Sequence, residues 1–301
     1  MRIPSKVYPY RLPYMGSKQN IAYSIMMAIV QKKPKAKYFF DIFGGGAAMS
    51  LMAKQFGLKV YYTEKNAGIV NLLNFLKDNK IPNDWIRWIN RDEFKQCVGK
   101  DDPFSVFVTV VWSFGNNRQA YLFGKDIEEL KRLGFEVIVN QDYACLEKLK
   151  KQTGLNLKMP TEKRIQDRRL SFSQQIKSVK AFNRGCPELM QMESLSRLAA
   201  CERLQQLEYL QQLELPYDEV VIYCDPPYRG TAEYTDNDFN HHEFDDWVRK
   251  LKYDVFISEY NTPFEKIASF NKLALLNNSK EKKNTVSENL YFHKAEHGAN
   301  G

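Results

Sequence analysis

The chain has 301 residues, 44% hydrophobic and 27% charged, with 44 Lys+Arg against 36 Asp+Glu and a formal charge of +8. That length suits one large or two modest domains, and that composition excludes a disordered polypeptide. No stretch is long and apolar enough to span a membrane, the N-terminal Met-Arg-Ile-Pro-Ser-Lys lacks an apolar signal core, and the 5 cysteines form no CxxC pair. A membrane span, a secreted disulfide framework and a zinc module are thereby set aside, and a soluble cytoplasmic protein is expected.

In chain order, Gly16-Ser17 turns into a helix that carries Ile21, Ile25, Met26 and Ile29 at helical spacing. "KYFFDIFGGGAAMSLMAKQFG" reads as strand, glycine turn and helix, with Gly57 near the helix end. "LKVYYTEKN" is a second strand ending on Glu64, and "AGIVNLLNFLKDNK" is another helix. This order opens a doubly wound α/β sheet. The texture changes near Asp101-Asp102-Pro103, where "FSVFVTVVWSFGNNRQAYLFGKDIE" is aromatic and rich in Asn and Gly.

Between Lys148 and Arg184 there are 11 Lys/Arg and 2 acids, Glu162 and Asp167, so this segment at +9 accounts for the whole positive balance. Such a patch suits a phosphate backbone or an anionic surface; the alternative is a solubilising face or a mobile loop. Leucines then recur at 195, 198, 204, 207, 210 and 213. A period of three drifts about 60° per step around a helix and makes no single apolar face. A helix buried on several sides and a variable repeat insertion both fit. Beyond it, "VVIYC" reads as a buried strand, "HHEFDDWVRKL" as a helix starting near Asn240 or His241, and "YDVFISEYN", "FNKLALLNN" and "NTVSENLYFHK" as strands. The expected layout is a split α/β domain over 1–100 and 206–301 around an insert at 101–205.

Three segments carry chemistry. In "DIFGGGAAMS" three glycines between strand and helix let the backbone approach a ligand, beside a helix N-terminus. No Gly-Lys-Ser/Thr follows, and GxGxxG fails at Met49, so a nucleoside without pyrophosphate, S-adenosylmethionine being the common one, is the remaining ligand class. A plain strand-to-helix turn is the competing reading. Glu64, about 20 residues on, is placed to accept from ribose hydroxyls or to favour a helix start.

The third segment is Asp225-Pro226-Pro227-Tyr228, directly behind the buried strand. The prolines preorganise the turn. A carboxylate and a main-chain carbonyl together accept both hydrogens of a planar amino group, and a tyrosine ring lies against a flat base. The chemistry inferred is attack by an exocyclic amine on a sulfonium methyl.

These residues resemble a known family: the DNA adenine N6-methyltransferases related to the bacterial enzymes that methylate adenine in GATC, with their phage-borne and orphan relatives. "LPYMGSK" resembles the N-terminal cofactor motif, "DIFGGGA" the glycine motif, "TEKN" the acid-x-Asn element, and "VIYCDPPY" the catalytic motif. "VWSFGNNRQAYLFGKDIE" is similar to the opening of the recognition insert, and "GTAEY" and "VFISEYNTP" to phage-type segments. The order is cofactor motifs, insert, Asp-Pro-Pro-Tyr.

The resemblance implies a Rossmann-like S-adenosylmethionine-dependent methyltransferase sheet with an inserted, mainly helical DNA-recognition domain. It implies S-adenosylmethionine as methyl donor, no metal, double-stranded DNA as partner, and a restriction endonuclease as a conceivable companion. Tyr14, Lys18, Asp41, Phe43, Gly44, Gly45, Gly46, Glu64 and Asp225 would bind the cofactor. Asp225, Pro226, Pro227 and Tyr228 would act on a flipped adenine, which cannot be reached in line inside the stack. Asn116, Asn117 and Arg118 would touch bases, and Lys163, Arg164, Arg168 and Arg169 phosphates. The family's acid on a strand ahead of the catalytic motif is not assigned to a residue here, where the leucine repeat runs almost straight into "LPYDEVVIYCDPPY".

Other readings are N4-cytosine methylation, disfavoured because that group more often has Ser in place of Asp225; a catalytically inactive DNA binder; and an RNA or protein-glutamine methyltransferase, which would not need the insert. His241-His242-Glu243 is not HExxH, and the spacing of His293 and His297 is read as incidental. Trp85 and Trp88 are expected to anchor a helix, and Cys224 to be a small buried residue.

Overall fold

The computed structural model describes residues 3–4, 12–14, 16–198, 205–206, 214–229, 239–273 and 285–296. In chain order the elements are α1 (Ala22–Lys32), β1 (Tyr38–Asp41), α2 (Ala48–Gln55), β2 (Lys59–Tyr62), α3 (Ala67–Asp78), α4 (Arg91–Cys97), α5 (Pro103–Val111), α6 (Lys125–Val139), α7 (Tyr143–Thr153), α8 (Ile165–Ile176), α9 (Pro187–Leu198), β3 (Gln205–Gln206), β4 (Val220–Cys224), α10 (His241–Lys250), β5 (Val255–Glu259), β6 (Glu265–Leu273) and β7 (Thr285–His293). The chain divides into two compact units, Met1–Tyr10 with Ser17–Lys65 and Arg203–Gly301, and Arg11–Gly16 with Asn66–Glu202. Residues 66–100, grouped by sequence with the first domain, pack in the second, because α3 lies against α5 and α9.

The first unit is α/β and its mixed sheet is compatible with a Rossmann-like architecture. Strand order is β3-β2-β1-β4-β5-β7-β6. The pairs from β3 to β5 are parallel, and β7 runs antiparallel to both β5 and β6. β4 and β5 are buried at every position, which is why "VVIYC" and "VFIS" are nearly continuous apolar runs. Alternate side chains supply the two faces. On one, Phe39, Val221, Tyr223 and Phe256 pack with Ile25, Met26 and Ile29 of α1 and Met49, Met52 and Phe56. On the other, Phe40, Ile222, Val255 and Ile257 pack with Phe244 and Val248 of α10.

From β1 the chain proceeds to β2 on one side, while β4 joins β1 on the other. The order therefore reverses between β1 and β4, and in such sheets the crevice at the carboxyl ends of these strands takes the ligand. Register sets Asp41 level with Tyr223, so Asp225 follows two residues beyond.

The second unit is helical among the described residues, apart from an isolated bridge between Ser113 and Tyr121. Asn66, Asn90, Asp102 and Asp142 cap α3, α4, α5 and α7 by accepting backbone N–H bonds, and Pro103 stands at the first turn of α5. Val106, Phe107, Val108, Val110 and Val111 are all fully buried, so packing holds the β-branched run "VFVTVV" as helix against its propensity. Trp85 and Trp88 do not sit on an α-helix. Trp85 closes a 3-10 turn at Asn83–Trp85 and stacks on Phe75, and Trp88 stacks on Phe123.

Leu195 is buried within α9 and Leu198 ends it, while leucines 204, 207, 210 and 213 lie outside the described residues. The strand expected from "FNKLALLNN" begins earlier, at Glu265. A short strand, β3, does precede the Asp-Pro-Pro-Tyr segment and pairs with β2. No helix among the described residues is long and apolar enough to cross a membrane.

Candidate active site at the carboxyl edge of the sheet

β4 delivers Asp225 to the sheet edge, and Pro226-Pro227 turn the chain away. Lys18 Nζ lies 2.7 Å from Asp225 Oδ2 and 3.0 Å from Glu288 Oε1. The Tyr228 hydroxyl donates to the same Glu288 oxygen, and the Lys18 ammonium sits 4.8 Å from the Tyr228 ring centroid. Asp225 Oδ1 is buried with no hydrogen-bond partner among the described residues. Burial raises the Asp225 carboxyl above the ordinary range; Lys18 opposes this and Glu288 adds to it. Burial pulls the Lys18 ammonium down, but the two carboxylates outweigh it and leave it raised. The ammonium therefore stays charged at neutral pH.

The turn is buttressed from β5 and α10. The Arg229 guanidinium donates from Nη2 to both Asp245 oxygens, at 2.8 and 2.7 Å. The backbone N–H of Arg229 and that of Tyr260 both donate to the Glu259 carboxylate, which is 1% exposed. Tyr260 stands edge-on to Tyr228 with centroids 4.6 Å apart. Pro226 is buried, and Tyr228 is thus fixed from its backbone, its hydroxyl and its ring.

Asp41 ends β1. Its Oδ2 accepts from Ser50 N at 3.1 Å and from Ser50 Oγ at 2.6 Å, in the first turn of α2. Its Oδ1 is a second buried carboxylate oxygen with no partner among the described residues. Burial pushes this carboxyl up to about 7; the Ser50 bonds oppose it, and the charges of Asp225 and Glu64 add to it.

The glycine turn is drawn onto β2: Gly44 N donates to Thr63 O at 2.8 Å, and Gly45 N donates to Glu64 Oε2 at 2.8 Å. The Tyr62 hydroxyl donates to Gly45 O at 2.7 Å. Any side chain at Gly44 would strike the Tyr62 ring, and Gly45 has φ +47°, a left-handed conformation that suits glycine. Phe43 packs edge-on against Phe239 and Phe244, and Gly46 is buried.

The first unit therefore brings together Lys18, Asp41, Phe43, Gly44 to Gly46, Glu64 and Asp225 to Tyr228. Tyr14 is not among them. It belongs to the second unit, where it acts on the charge of Arg118.

Within the second unit the seven residues singled out from sequence divide. Arg118 turns inward, donating to Thr109 Oγ at 3.2 Å and to Asn66 Oδ1 at 3.1 Å, and burial lowers its guanidinium. Asn117 Oδ1 accepts from the N–H groups of Gln119 and Ala120, and Asn116 pairs with Gln191. Asn116 and Arg118 both hold positive φ, 58° and 61°. Lys163 and Arg164 are exposed, although Arg164 is paired with Asp167 at 2.7 Å. Arg168 is buried, and Arg169 is nearly so, 3.5 Å from Glu193.

Glu288, Asp245 and Tyr62 lie outside the quoted motifs, and Glu259 lies inside "VFISEYNTP" with no local sign of its role. The signal for Glu288 is an acid in step with Leu290 and Phe292 on a strand, all three buried. Cys224 is buried and its thiol is pushed up by that burial, as befits a packing residue. Asn240 caps α10, whose first residue is His241, and among the described residues no cluster of His, Cys, Asp or Glu is suited to a metal. No protein-family model and no curated protein matches the chain.

Proposed function

We propose that this chain is a site-specific DNA methyltransferase that transfers a methyl group from S-adenosylmethionine to adenine N6 in double-stranded DNA. The observation that carries the reading is the Asp225 carboxylate. It is fixed on a Pro-Pro turn at the switch point, and one of its buried oxygens has no hydrogen-bond partner among the described residues. An acceptor held dry in that way meets an amine.

The residues fit the donor. Asp41 offers another buried unpartnered oxygen beside the glycine turn, and acids dominate the edge, which favours a ligand carrying an ammonium and a sulfonium. Glu64, anchored by Gly45 N–H, would meet ribose hydroxyls, and Gly44 to Gly46 with Phe43 would line the methionine end. S-adenosylmethionine, when bound, supplies an electrophilic methyl on a positively charged sulfur. Asp225 and a main-chain carbonyl of the turn accept the hydrogens of the target amine and stabilise charge developing on its nitrogen. Its raised proton affinity lets Asp225 receive the N–H proton that must leave as the new N–C bond forms. Tyr228 orients the base, and Lys18 holds Asp225 in place.

The helical second unit would serve as the DNA-recognition domain, with Lys163 and Arg164 as its exposed phosphate contacts. Arg118, Arg168 and Arg169 would act from within that unit as supports unless DNA draws them out. A cytoplasmic enzyme is expected, with or without a restriction endonuclease.

The test is incubation with labelled S-adenosylmethionine and DNA covering all short sequence contexts, followed by base-resolved detection of methylation. Label on adenine, lost in Asp225→Ala with DNA binding retained, is the expected result. Label on cytosine establishes the N4-cytosine alternative. DNA binding with no affinity for the donor leaves an inactive binder.

A further inference from the structure

Glu288 lies on β7, outside every segment that carries the family resemblance, and it is only 2% exposed. Its strand neighbours on the same face, Leu290 and Phe292, are ordinary core residues. A carboxylate there costs several kcal/mol unless its charge is met. One oxygen of Glu288 meets two donors at once, Lys18 Nζ at 3.0 Å and the Tyr228 hydroxyl. The same ammonium is held by Asp225 at 2.7 Å. Two acids thus share one cation, and the second acid also holds the ring that the catalytic turn presents. A hydrophobic residue of similar volume would close the sheet as well or better, so packing does not account for an acid at this position.

We propose that Glu288 is a positioning residue of the active site: it fixes the Tyr228 ring and Lys18, and its negative charge keeps Asp225 a stronger acceptor than Lys18 alone would leave it. The geometry stands by itself, and the catalytic consequence rests on the methyltransferase reading. A carboxylate with an ammonium to itself is a weak base; dividing that ammonium with a second acid restores basicity. The titratable and charged groups around Asp225 include Lys18 ahead of α1, Asp41 on β1, Tyr223 and Cys224 on β4, Tyr228 in the turn, Glu259 and Tyr260 at the end of β5, and Glu288 on β7, with Arg229 of the same turn bound to Asp245. Among the described residues Lys18 is the cation bound directly to Asp225, and Glu288 holds the same ammonium, so Glu288 weakens the hold of Lys18 on Asp225.

Glu288→Gln keeps an oxygen for Tyr228 and Lys18 and removes the charge. In the donor-free protein, the Asp225 carboxyl carbon, followed by NMR and assigned with Asp225→Asn, should titrate about one pH unit lower in Glu288→Gln. Glu288→Asp keeps the charge and should restore most of that shift. In the methyl-transfer assay, kcat of Glu288→Gln should fall about tenfold with KM for the donor within about twofold, and the acid limb of the kcat profile should move to lower pH. A structural residue would cost stability and move neither the titration nor the limb. An unchanged Asp225 titration in Glu288→Gln overturns the inference.

If that variant does not fold, the wild-type protein decides: the carboxyl carbons of Asp225 and Glu288 must respond to a common titration, and independent curves refute the network. Absence of methyl transfer by the wild type refutes only the enzyme reading, because neither NMR measurement needs turnover.

Discussion

Asp41 makes a quantitative test of the site's electrostatics. Its carboxyl is 1% exposed and is pushed from an ordinary 3.8 up to about 7, chiefly by burial. Below about pH 4 the group is protonated in both folded and unfolded chains and makes no difference. Between about pH 4 and 7 the unfolded chain releases the proton while the folded chain retains it, so stability falls as pH rises. About three pH units at about 1.4 kcal/mol each give a loss of about 4 kcal/mol, which levels off once the folded carboxyl has also ionised. Asp41→Asn cannot ionise, yet its amide oxygen can still accept from Ser50 N and Oγ. Its stability relative to wild type should therefore rise by about 4 kcal/mol between about pH 4 and pH 8. Urea unfolding followed by circular dichroism in a pH series measures this. If the two proteins give parallel pH–stability curves, Asp41 is ionised throughout, and the dry carboxyl edge inferred from its unpartnered oxygen does not exist.

Glu188 gives the same signature in the second unit: it is fully buried and raised from 4.5 to about 7 by burial, so Glu188→Gln should gain about 3 kcal/mol on wild type at pH 8 and nothing near pH 4. Gly44→Ala should cost about 1–3 kcal/mol in urea unfolding, because the new methyl displaces Tyr62 from Gly45, and equilibrium dialysis should show weakened donor binding. Arg118→Ala should cost about 1–2 kcal/mol through its lost bonds to Thr109 and Asn66. Arg118→Gly should cost about 1 kcal/mol less than Arg118→Ala, because glycine relieves the positive φ. For DNA binding, Lys163→Ala and Arg164→Ala should each reduce the slope of log affinity against log salt by about 1, while Arg168→Met leaves that slope alone and lowers the melting temperature.

The parts of this molecule legible in its sequence are those written in local chemistry. The glycine turn, the acid two residues beyond β2 and the Pro-Pro turn after β4 each mark a strand's carboxyl end, and strand ends are where an α/β sheet collects its ligand groups. Glu288 and Glu259 were not legible, because each becomes important only through a pairing more than 25 residues distant in sequence. Arg118 misleads for the opposite reason. An arginine between Asn and Gln reads as a surface reader of bases, yet a left-handed backbone turns it beneath its own loop onto Thr109 and Asn66. The composition changes at Asp101. Contacts instead change at Asn66, where a capped helix leaves the sheet's unit to pack on α5.

The acids of the sheet edge and the most basic segment of the chain lie in different units. The sheet edge carries Asp41, Glu64, Asp225, Glu259 and Glu288, with Lys18 bound to Asp225 and Glu288 and Arg229 paired with Asp245. Such an edge attracts a cationic donor and an amine and repels phosphate. It is therefore a poor place to bind a nucleic-acid backbone and a suitable one for a base delivered without its phosphates. The backbone needs positive charge elsewhere, and the segment from Lys148 to Arg184, at +9, lies wholly in the second unit. On the proposed function, salt should act differently on the two ligands: DNA affinity should fall steeply between about 50 and 200 mM salt, whereas donor affinity, if set by the largely buried acids of the edge, should change little. Equal salt sensitivity for both ligands would place the donor on the basic segment and remove the acidic edge from the mechanism.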